Sequence, residues 1–278
     1  MQKVTIGIIG GKGIMGSFFG KFFRKQGFDV LISDLDTKLS NKALVSMCHV
    51  VVVAVPMDVT ERVIKEIAPL LKPEQLLMDL TSLKTFPLRS MMKSKAAVIG
   101  LHPMFRPGPA GLKGQTMVMC PARCTAAQKS WVKKIFSAAG ATVTEMTAHK
   151  HDELMAIIQV LIHFHCIVLG NTMRALRVNL RQTMKAMSPI YRLQFDVVSR
   201  TFAQNPKLYA SIQMLNPHAP RVLKTFLKAT EEMARIGMRK DTAAFQKAFK
   251  KTGGFLGAFA KQGLKESDEL LQFFQRAL

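Results

Sequence analysis

Short apolar runs alternate with helical segments through the first half of the chain, and this alternation limits the possible folds more than any other feature. The runs lie at residues 4–9, 28–32, 49–55, 75–80, 97–101, 115–120 and 142–145. A strand that is apolar at successive positions is typical of a sheet covered on both faces. Helical spacing at residues 14–26, 59–71, 84–93 and 125–139 supplies the covering layers. We therefore predict an α/β domain with a doubly wound parallel sheet.

A glycine-rich segment follows the first apolar run and precedes the first helix. Gly11, Gly13 and Gly16 form the pattern G-x-G-x-x-G. In this setting the first glycine allows a tight turn, the second lets a pyrophosphate approach the backbone, and the third lets the helix lie close to the strand. Free N–H groups at the helix N-terminus attract phosphate. We predict a Rossmann-like domain that binds a dinucleotide through Gly11, Gly13, Ile14, Met15 and Gly16.

An acidic residue, Asp34, stands at the end of the second predicted strand. A carboxylate at this place can accept hydrogen bonds from a ribose 2′-hydroxyl, and it would repel a 2′-phosphate. The sequence has no arginine beside Asp34, and Lys38 is the nearest cation that it offers. Asp34 therefore predicts NAD as the cofactor rather than NADP. The alternative interpretation is a glycine turn beside a solvated aspartate.

Two polar positions follow later apolar runs and are candidates for catalysis. Ser82 comes after the fourth run, and His102 stands at the end of the fifth predicted strand. Ligands of open parallel sheets bind beyond the carboxyl ends of the strands. We therefore predict that both side chains lie at the substrate site and that His102 faces the nicotinamide. The alternative for His102 is a structural histidine with satisfied hydrogen bonds.

Two arginines share a predicted helix that begins near residue 188. Arg192 and Arg200 are eight residues apart, so their side chains lie within about 80° of each other around the helix axis. Their neighbours are largely apolar, and a guanidinium embedded among apolar side chains needs an anion. That anion is a bound ligand or, alternatively, an internal carboxylate such as Asp196 or Asp152.

The chain changes character near residue 148, after which strand signals almost disappear. Helices are predicted at residues 149–176, from 188 to 205, from 206 to 216, at 221–237 and at 242–277. We predict a dinucleotide-binding domain at residues 1–148, followed by an all-α dimerisation and substrate domain at 149–278. The helical half has more apolar helix surface than a domain of its size hides alone. The sequence therefore predicts a homodimer.

Composition argues against several classes of protein. The chain has 40 Lys and Arg against 18 Asp and Glu, a formal net charge of +22. These basic residues are spread along the chain and do not form a tail, so we predict no nucleic-acid partner. A basic nucleic-acid-binding protein on a borrowed fold is the alternative from another class. The four cysteines lack the paired spacing of a zinc site, and no metal site is predicted.

The sequence carries no signal for secretion or for a membrane. The N-terminus runs directly into a strand pattern. The longest apolar stretch, residues 155–170, contains Gln159 and His163 and is short for a membrane span. We expect a buried helix at this stretch, no membrane partner, and a cytoplasmic protein with reduced cysteines.

Several segments together resemble one enzyme family. GGKGIMG, DLTSLK, GLHPMF, HDELMAIIQVLIHF and SPIYRLQFDVVSRTFAQNPKLYASI are similar to prephenate dehydrogenases of tyrosine biosynthesis. The similarity covers nearly the whole chain and is closest to the dehydrogenase part of fused chorismate mutase–prephenate dehydrogenases. It implies NAD-dependent oxidative decarboxylation of prephenate to 4-hydroxyphenylpyruvate, dimerisation through the helical domain, and tyrosine as a feedback inhibitor.

The resemblance also implies roles for individual residues. His102 would contact the substrate hydroxyl with assistance from Ser82. Arg200 would hold a substrate carboxylate, and Arg192 occupies a supporting basic position. These roles agree with the candidates chosen from the residues themselves.

Two more residues match the family at its pocket, and one segment departs from it. His163 and Tyr209 match positions that line the substrate and tyrosine pocket. After HPMF, Arg106 is followed by Pro and Gly, where the family usually has Gly, Pro and an acidic residue. This departure bears on the geometry of the loop and on substrate preference.

Other interpretations of the function stay open within the enzymes and outside them. The chain could prefer arogenate, the amino analogue of prephenate, because both substrates present the same ring. A 3-hydroxyacid or imine-reducing dehydrogenase of similar layout would lack the SPIYR…FAQNP helix. A catalytically inactive protein that binds NAD or tyrosine is a third alternative.

Overall fold

A computed structural model describes the backbone over residues 4–277 and the side chains over residues 4–273. The chain divides into two compact units. The first contains residues up to 158 together with 207–218, and the second contains residues 159–206 together with those from 219 onward. These units are defined by packing, whereas the domains 1–148 and 149–278 are defined by sequence character. That division of the sequence stays a prediction.

The first unit is built around a seven-stranded sheet with the order β2-β1-β3-β4-β5-β6-β7. The strands are β1 (Thr5–Ile9), β2 (Asp29–Ser33), β3 (Val50–Val53), β4 (Leu76–Asp79), β5 (Ala97–Pro103), β6 (Thr116–Arg123) and β7 (Thr142–Glu145). Each strand overlaps a predicted apolar run, and the α/β prediction is confirmed. The prediction of a wholly parallel sheet is corrected at one pair, since β6 runs antiparallel to β5. Residues 104–115 between these strands form turns and no helix, so they do not provide the crossover that a parallel pair requires.

Helices make up most of the remaining structure. In chain order they are α1 (Ile14–Lys25), α2 (Asn41–Met47), α3 (Met57–Ile67), α4 (Thr85–Met91), α5 (Ala126–Ala138), α6 (Ala148–Met155), α7 (Ile162–Ala175), α8 (Leu180–Lys185), α9 (Pro189–Phe202), α10 (Pro206–Leu215), α11 (Ala219–Met238), α12 (Thr242–Leu256) and α13 (Ala258–Ala277). A 3₁₀ turn at Ala68–Leu70 follows α3, and a π-helical segment at Ala156–Leu161 joins α6 to α7.

The sheet buries both of its faces, which explains the continuous apolar runs. Val50 and Val52 belong to one buried cluster, together with aromatic residues of α1. Val51 and Val53 belong to the cluster on the other face. Because successive side chains of a strand point to opposite faces, a strand between two layers must be apolar at every position.

Three features of the helices differ from the predictions. The short helices α2 and α8 were not predicted, although Ser40 and Asn179 cap them through side-chain oxygens. Helices this short contain too few residues to show a periodic pattern. The single helix predicted at 242–277 is divided at Gly257, whose φ of 53° lies in the left-handed region. Ser188 precedes α9 as predicted, but its side chain makes no capping hydrogen bond.

The second unit packs its helices through a few close contacts. A Cβ added at Gly170 of α7 would lie 2.3 Å from the ring of Phe202 in α9, so glycine permits this approach. On α11, the ring of Phe226 meets that of Phe164 edge to face at 5.7 Å between centroids. Such contacts join α7 to both neighbouring helices.

The apolar stretch at residues 155–170 is less buried than expected. Ile157, Ile158 and Ile162 expose 50%, 48% and 51% of their surface, so the prediction of a buried helix is wrong for the single chain. An apolar sequence predicts that its side chains are shielded from water, but the single chain buries only about half of the surface of these three residues. By length and composition, Ala148–Ala175 could also cross a membrane, which is weak evidence because core helices pass the same test.

Candidate active site

The turn between β1 and α1 depends on a glycine in a left-handed conformation. Gly10 has a φ of 81°, which glycine adopts without a steric penalty. The N–H groups of Gly10 and Gly11 donate to the carbonyl oxygen of Ser33 at 2.8 and 3.3 Å. The expectation that Gly11 allows the tight turn is therefore corrected, because the residue before it takes the left-handed conformation.

Gly11 and Gly16 are required by close packing instead. A Cβ at Gly11 would lie 2.3 Å from Cγ2 of Ile32. A Cβ at Gly16 would lie 2.2 Å from the carbonyl oxygen of Gly10. Neither site has room for a side chain. Gly11 lets the turn pack against β2, and Gly16 lets helix α1 approach the turn closely, as predicted.

The N-terminus of α1 is the part of this turn that suits an anion. Gly13 is the residue before the helix, and Ile14 and Met15 are its first two residues. The first turn contains no acidic side chain, so the partial positive charge of the helix N-terminus is not neutralised there. Ile14 is 67% exposed, whereas Met15 packs against the core.

Asp34 is held by backbone groups of the glycine turn and of its own loop. Its Oδ2 accepts the N–H of Lys12 at 2.8 Å, and its Oδ1 accepts the N–H of Leu35 at 2.8 Å. The Nζ of Lys12 lies 2.7 Å from a carboxylate oxygen of Asp36. Lys38 is the nearest cation to Asp34 in the sequence. In the structure it is Lys12 that bonds to both Asp34 and Asp36.

A buried ion pair lies where β4 and β5 end. Asp79 is the last residue of β4, and its carboxylate bonds to Nζ of Lys84. Both side chains are completely buried. The Nζ of Lys84 also donates to the carbonyl oxygen of Leu101 at 2.7 Å, and the hydroxyl of Thr81 donates to Asp79. Lys84 thereby connects the two strands on which the site is built.

His102 begins a chain of buried polar side chains. Its Nδ1 lies 2.9 Å from Nε2 of His151, and Nδ1 of His151 lies 2.7 Å from Oδ1 of Asp152. His102 is 3% exposed, and both partners are fully buried. His102 was predicted to end its strand, but β5 continues to Pro103 because this segment pairs with β6.

Asp152 is fixed from three directions. Its Oδ1 accepts the N–H of Lys84 at 2.8 Å, and its Oδ2 accepts the N–H of Thr85 at 2.9 Å. The side chain of Asn216, which is itself buried, donates to the carbonyl oxygen of Asp152 at 2.9 Å. These bonds tie α6 to the start of α4 and to the loop after α10.

Burial and hydrogen bonding set the charges of this chain of residues. Burial lowers the pKa of His102 well below its usual value, and positive charge at His151 or Lys84 lowers it further. Burial also lowers the pKa of His151, although Asp152 opposes that change. For Asp152, burial alone would raise the pKa, but hydrogen bonds from His151, Thr85 and Lys84 outweigh it and lower the pKa. At neutral pH the two histidines are therefore neutral and Asp152 is ionised.

Ser82 is the other predicted site residue near the C-terminal ends of β4 and β5. It lies in the loop after β4, between Thr81 and Lys84, and its side chain is half-buried. Its neighbours at 81 and 84 both bond to Asp79. The loop that carries Ser82 is therefore anchored on each side.

The two arginines of α9 have different surroundings. The Nε of Arg192 lies 3.1 Å from Oδ1 of Asp196, one turn along the helix. The internal salt bridge that was the alternative for Arg192 is thus present. Arg200, in the last turn of α9, is exposed and makes no ion pair among residues 4–273. The expectation that its guanidinium is embedded among apolar side chains is wrong for the single chain.

The two remaining candidates are half-buried. His163 lies in α7, where burial lowers its pKa. Tyr209 lies in α10. They belong to different compact units, since residue 163 is in the second and residue 209 in the first.

Comparison with known proteins establishes the family. A family model described as prephenate dehydrogenase, nucleotide-binding domain, matches residues 24–145, and another described as prephenate dehydrogenase, dimerization domain, matches residues 147–251. The T-protein of Enterobacter agglomerans is 36% identical over 95% of this chain and 71% of its own length. The chain belongs to the prephenate dehydrogenase family. Its architecture is therefore the family's nucleotide-binding domain followed by the helical dimerisation domain.

Other similar proteins agree with this assignment. A probable arogenate/prephenate dehydrogenase of Methanocaldococcus jannaschii is 35% identical over 96% of this chain, which spans 64% of that relative's length. The solved prephenate dehydrogenase of A. aeolicus, in complex with hydroxyphenyl propionate and NAD+, has a TM-score of 0.70. It covers 92% of this chain and 99% of its own, at 17% identity, so this likeness concerns the fold.

Sequence reasoning missed three members of this candidate site. His151 and Asp152 stand in the segment HDELMAIIQVLIHF, and Lys84 ends DLTSLK. Both segments contributed to the family resemblance, but His151 and Lys84 received no role. Their adjacency to other motif residues was the available signal. Their contacts with His102 and Asp79 became visible only in three dimensions.

The segment that departs from the family pattern follows β5, the strand that carries His102. Arg106 is exposed in the turn region between β5 and β6. The preceding residue, Phe105, packs edge to face against Phe18 of α1 at 5.7 Å between ring centroids. This contact anchors the loop at the residue before Arg106.

The four cysteines form no disulfide, and metal ligands do not cluster in the described part of the chain. Cys48, Cys120, Cys124 and Cys166 are all free thiols. Within the residues that the structure describes, no group of three His, Cys, Asp or Glu side chains could hold a metal ion.

Proposed function

We propose that this protein catalyses the NAD-dependent oxidative decarboxylation of prephenate to 4-hydroxyphenylpyruvate in tyrosine biosynthesis. The observation that carries the proposal is His102, which is buried near the C-terminal end of β5 and whose pKa burial lowers, in a chain that also has the family's nucleotide-binding domain. The relatives described above are named as prephenate or arogenate/prephenate dehydrogenases, or as T-proteins.

The glycine turn fits a dinucleotide. Gly11 and Gly16 have no space for a Cβ, so β2 and helix α1 pack closely against the turn, as the dinucleotide motif requires. The helix N-terminus offers N–H groups to a pyrophosphate, and Asp34 offers a carboxylate to a ribose. When bound, the nicotinamide would accept the hydride that leaves the hydroxyl-bearing carbon of the substrate.

His102 would accept the proton of the substrate hydroxyl and later return it. As hydride leaves the ring carbon, that hydroxyl becomes a carbonyl, and its proton must go to a base. A neutral imidazole suits this role. Loss of CO₂ then returns an electron pair to the ring and leaves a phenolate oxygen, which takes the proton back from His102. The histidine acts first as base and then as acid, and Ser82 would assist it.

The substrate also carries two carboxylates, which require cations. We assign one carboxylate to Arg200, because its guanidinium makes no ion pair among the described residues and its planar fork matches both oxygens. Arg192 would support it, although its Nε already bonds to Asp196. His163 and Tyr209 would line the pocket for substrate and tyrosine.

The helical unit supports a homodimer. Few large apolar side chains are buried there, and several on its last helices are strongly exposed, such as Phe249 at 71%, Phe255 at 87% and Phe259 at 66%. A second copy of the chain would cover such surface. The matched family domain is described as a dimerization domain.

The deciding experiment measures NADH formation by purified protein with prephenate and with arogenate, each with NAD and with NADP. Turnover of prephenate with NAD supports the proposal. No turnover of either substrate would contradict it and favour the alternative of an inactive NAD- or tyrosine-binding protein.

A preference for arogenate is the second candidate. It is favoured by the name of the Methanocaldococcus jannaschii relative, which includes both substrates. The two substrates differ only at the side chain, where arogenate carries an amino group. The same assay separates them through the ratio of kcat/KM values.

Tyrosine is proposed as a feedback inhibitor that competes with prephenate. His163 is the residue that motivates this proposal, through its match to the family's tyrosine pocket. Replacing His163 by Ala should relieve the inhibition, and no inhibition of the wild type by millimolar tyrosine would end the idea.

A further inference from the structure

We propose that His151 is a positioning residue for His102, which fixes the proton of the His102 ring on Nδ1 and stabilises the imidazolium that forms during turnover. Asp152 in turn fixes His151. This inference deepens the proposed function, since it rests on His102 as the base of that reaction. It is carried by the contacts from His102 Nδ1 to His151 Nε2, and from His151 Nδ1 to Asp152 Oδ1, at 2.9 and 2.7 Å.

The direction of these hydrogen bonds follows from Asp152. An ionised carboxylate only accepts hydrogen bonds. Backbone N–H groups of Lys84 and Thr85 already donate to its two oxygens at 2.8 and 2.9 Å. The ring of His151 must therefore donate to Asp152 through Nδ1–H.

The tautomer of His102 follows in the same way. A neutral imidazole has one N–H, so a His151 ring protonated at Nδ1 has an acceptor at Nε2. The nitrogen facing that acceptor, Nδ1 of His102, must then be the donor. A neutral His102 with its proton on Nδ1 has a basic Nε2, which is the form that can remove a hydroxyl proton.

The same arrangement stabilises the charge that appears during the reaction. When Nε2 of His102 takes the substrate proton, the ring becomes a cation in a nearly dry site, where it is 3% exposed. Its Nδ1–H is directed at His151, and the negative charge of Asp152 lies on the far side of that ring. The proton returns to the product oxygen after CO₂ leaves, so His151 needs to take up no net proton.

The surroundings hold the three side chains in place. Asp152 and His151 are adjacent on α6, and the buried side chain of Asn216 donates to the backbone of Asp152 at 2.9 Å. His102 is held by the pairing of β5 with β6. Each ring is thus attached to a regular element, which suits precise orientation of a reacting group.

The first test reads the tautomer directly and requires no turnover. Long-range ¹H–¹⁵N correlation spectra of the full chain, with ¹⁵N-labelled histidine, distinguish protonated from unprotonated ring nitrogens. We expect both His102 and His151 to be protonated at Nδ1 and unprotonated at Nε2. A proton on Nε2 of His102 would overturn the proposal. If wild-type protein does not oxidise prephenate, the proposed function fails while this measurement still decides the hydrogen-bond arrangement.

The second test removes the acceptor. In His151→Leu, kcat should fall roughly 10- to 100-fold, the usual effect of losing a group that orients a functional residue, while KM for NAD stays within a few-fold. His151→Gln should recover part of kcat, because its amide oxygen can accept from Nδ1–H. The matched control is His149→Leu, two residues earlier on α6 and exposed, which should keep wild-type kcat.

A pH profile separates this role from a merely structural one. Without His151 the imidazolium of His102 is less stabilised, so the acid limb of kcat/KM should move to lower pH in His151→Leu and less so in His151→Gln. Unchanged kcat, profile and His102 nitrogen shifts in a folded His151→Leu protein would refute the proposal. If that variant does not fold, His151→Gln and the wild-type spectrum still decide it.

Discussion

The Nζ of Lys84 lies 2.7 Å from the carbonyl oxygen of Leu101, the residue before His102. The same ammonium group neutralises Asp79, and both charged side chains are completely buried. Lys84→Met would leave the Asp79 carboxylate buried without a cation. We expect the free energy of unfolding, measured with urea, to fall by about 3–5 kcal/mol.

Two further variants test this explanation. Adding Asp79→Asn to Lys84→Met should restore part of the lost stability, because no uncompensated charge remains. Lys95→Met, which removes an exposed lysine shortly before β5, should change stability by no more than about 0.5 kcal/mol. Equal stabilities of Lys84→Met and wild type would show that the ion pair does not hold the two strands together.

His102→Asn should abolish most of the activity and leave NAD binding intact. Asparagine retains a polar side chain but cannot take up the hydroxyl proton, so kcat should fall by about 10²–10⁴-fold. The control His165→Asn removes an exposed histidine and should remain active. Wild-type kcat in the His102→Asn variant would place the base elsewhere.

The same histidine predicts the pH dependence of the wild type. His102 must be neutral to act as a base, so activity is present above its pKa and is lost as the pH falls through it. Because burial lowers this pKa below the usual value of about 6.5, the acid limb of kcat/KM should lie below pH 6.5. A limb above that pH would contradict the assignment.

Asp34→Ser should narrow the preference for NAD over NADP. The carboxylate that would repel a 2′-phosphate is then gone, and Lys12 of the adjacent glycine turn remains as a cation. The ratio of kcat/KM values for the two cofactors measures the change. Asp36→Ser removes the same charge from the same turn while leaving Asp34, and it should shift the ratio less. A wild-type preference for NADP would defeat the argument.

Arg200→Ala should raise KM for prephenate and spare KM for NAD. A charge-assisted hydrogen bond contributes about 1.5–3 kcal/mol, which corresponds to roughly 10- to 150-fold in KM. Arg200→Lys should recover only part, since an ammonium group lacks the planar fork. The exposed guanidinium makes no ion pair among residues 4–273, so Tm should hardly change. A lower Tm with unchanged KM would instead indicate a structural arginine.

Light scattering should show a dimer at micromolar concentration. The apolar surface of the helical unit, including Phe249, Phe255 and Phe259, is too exposed for a stable single chain in water. Dilution should then lower the apparent mass and the Tm together, because association stabilises the folded chain. A monomer across the whole concentration range would contradict this prediction.

The sequence alone predicted the fold class and located the glycine turn. The valines of β3 are apolar at every position because both faces of the sheet are covered, and that requirement is visible along the chain. The close packing at Gly16 was predictable because the G-x-G-x-x-G motif between a strand and a helix has one known backbone geometry. Local steric and burial requirements act over a few residues, so they leave a local pattern.

Only the tertiary structure showed which residues far apart in the sequence are in contact. His102 and His151 are 49 residues apart, and Lys84 and Asp152 are 68 apart, yet both pairs are in contact. The antiparallel pairing of β6 extended β5 past His102 and placed that residue within a strand. The tertiary structure also decided that Arg200 is exposed, although its neighbours in the sequence are largely apolar. Such contacts depend on where whole elements pack, and residue spacing does not encode that position because many packings satisfy the same periodicity.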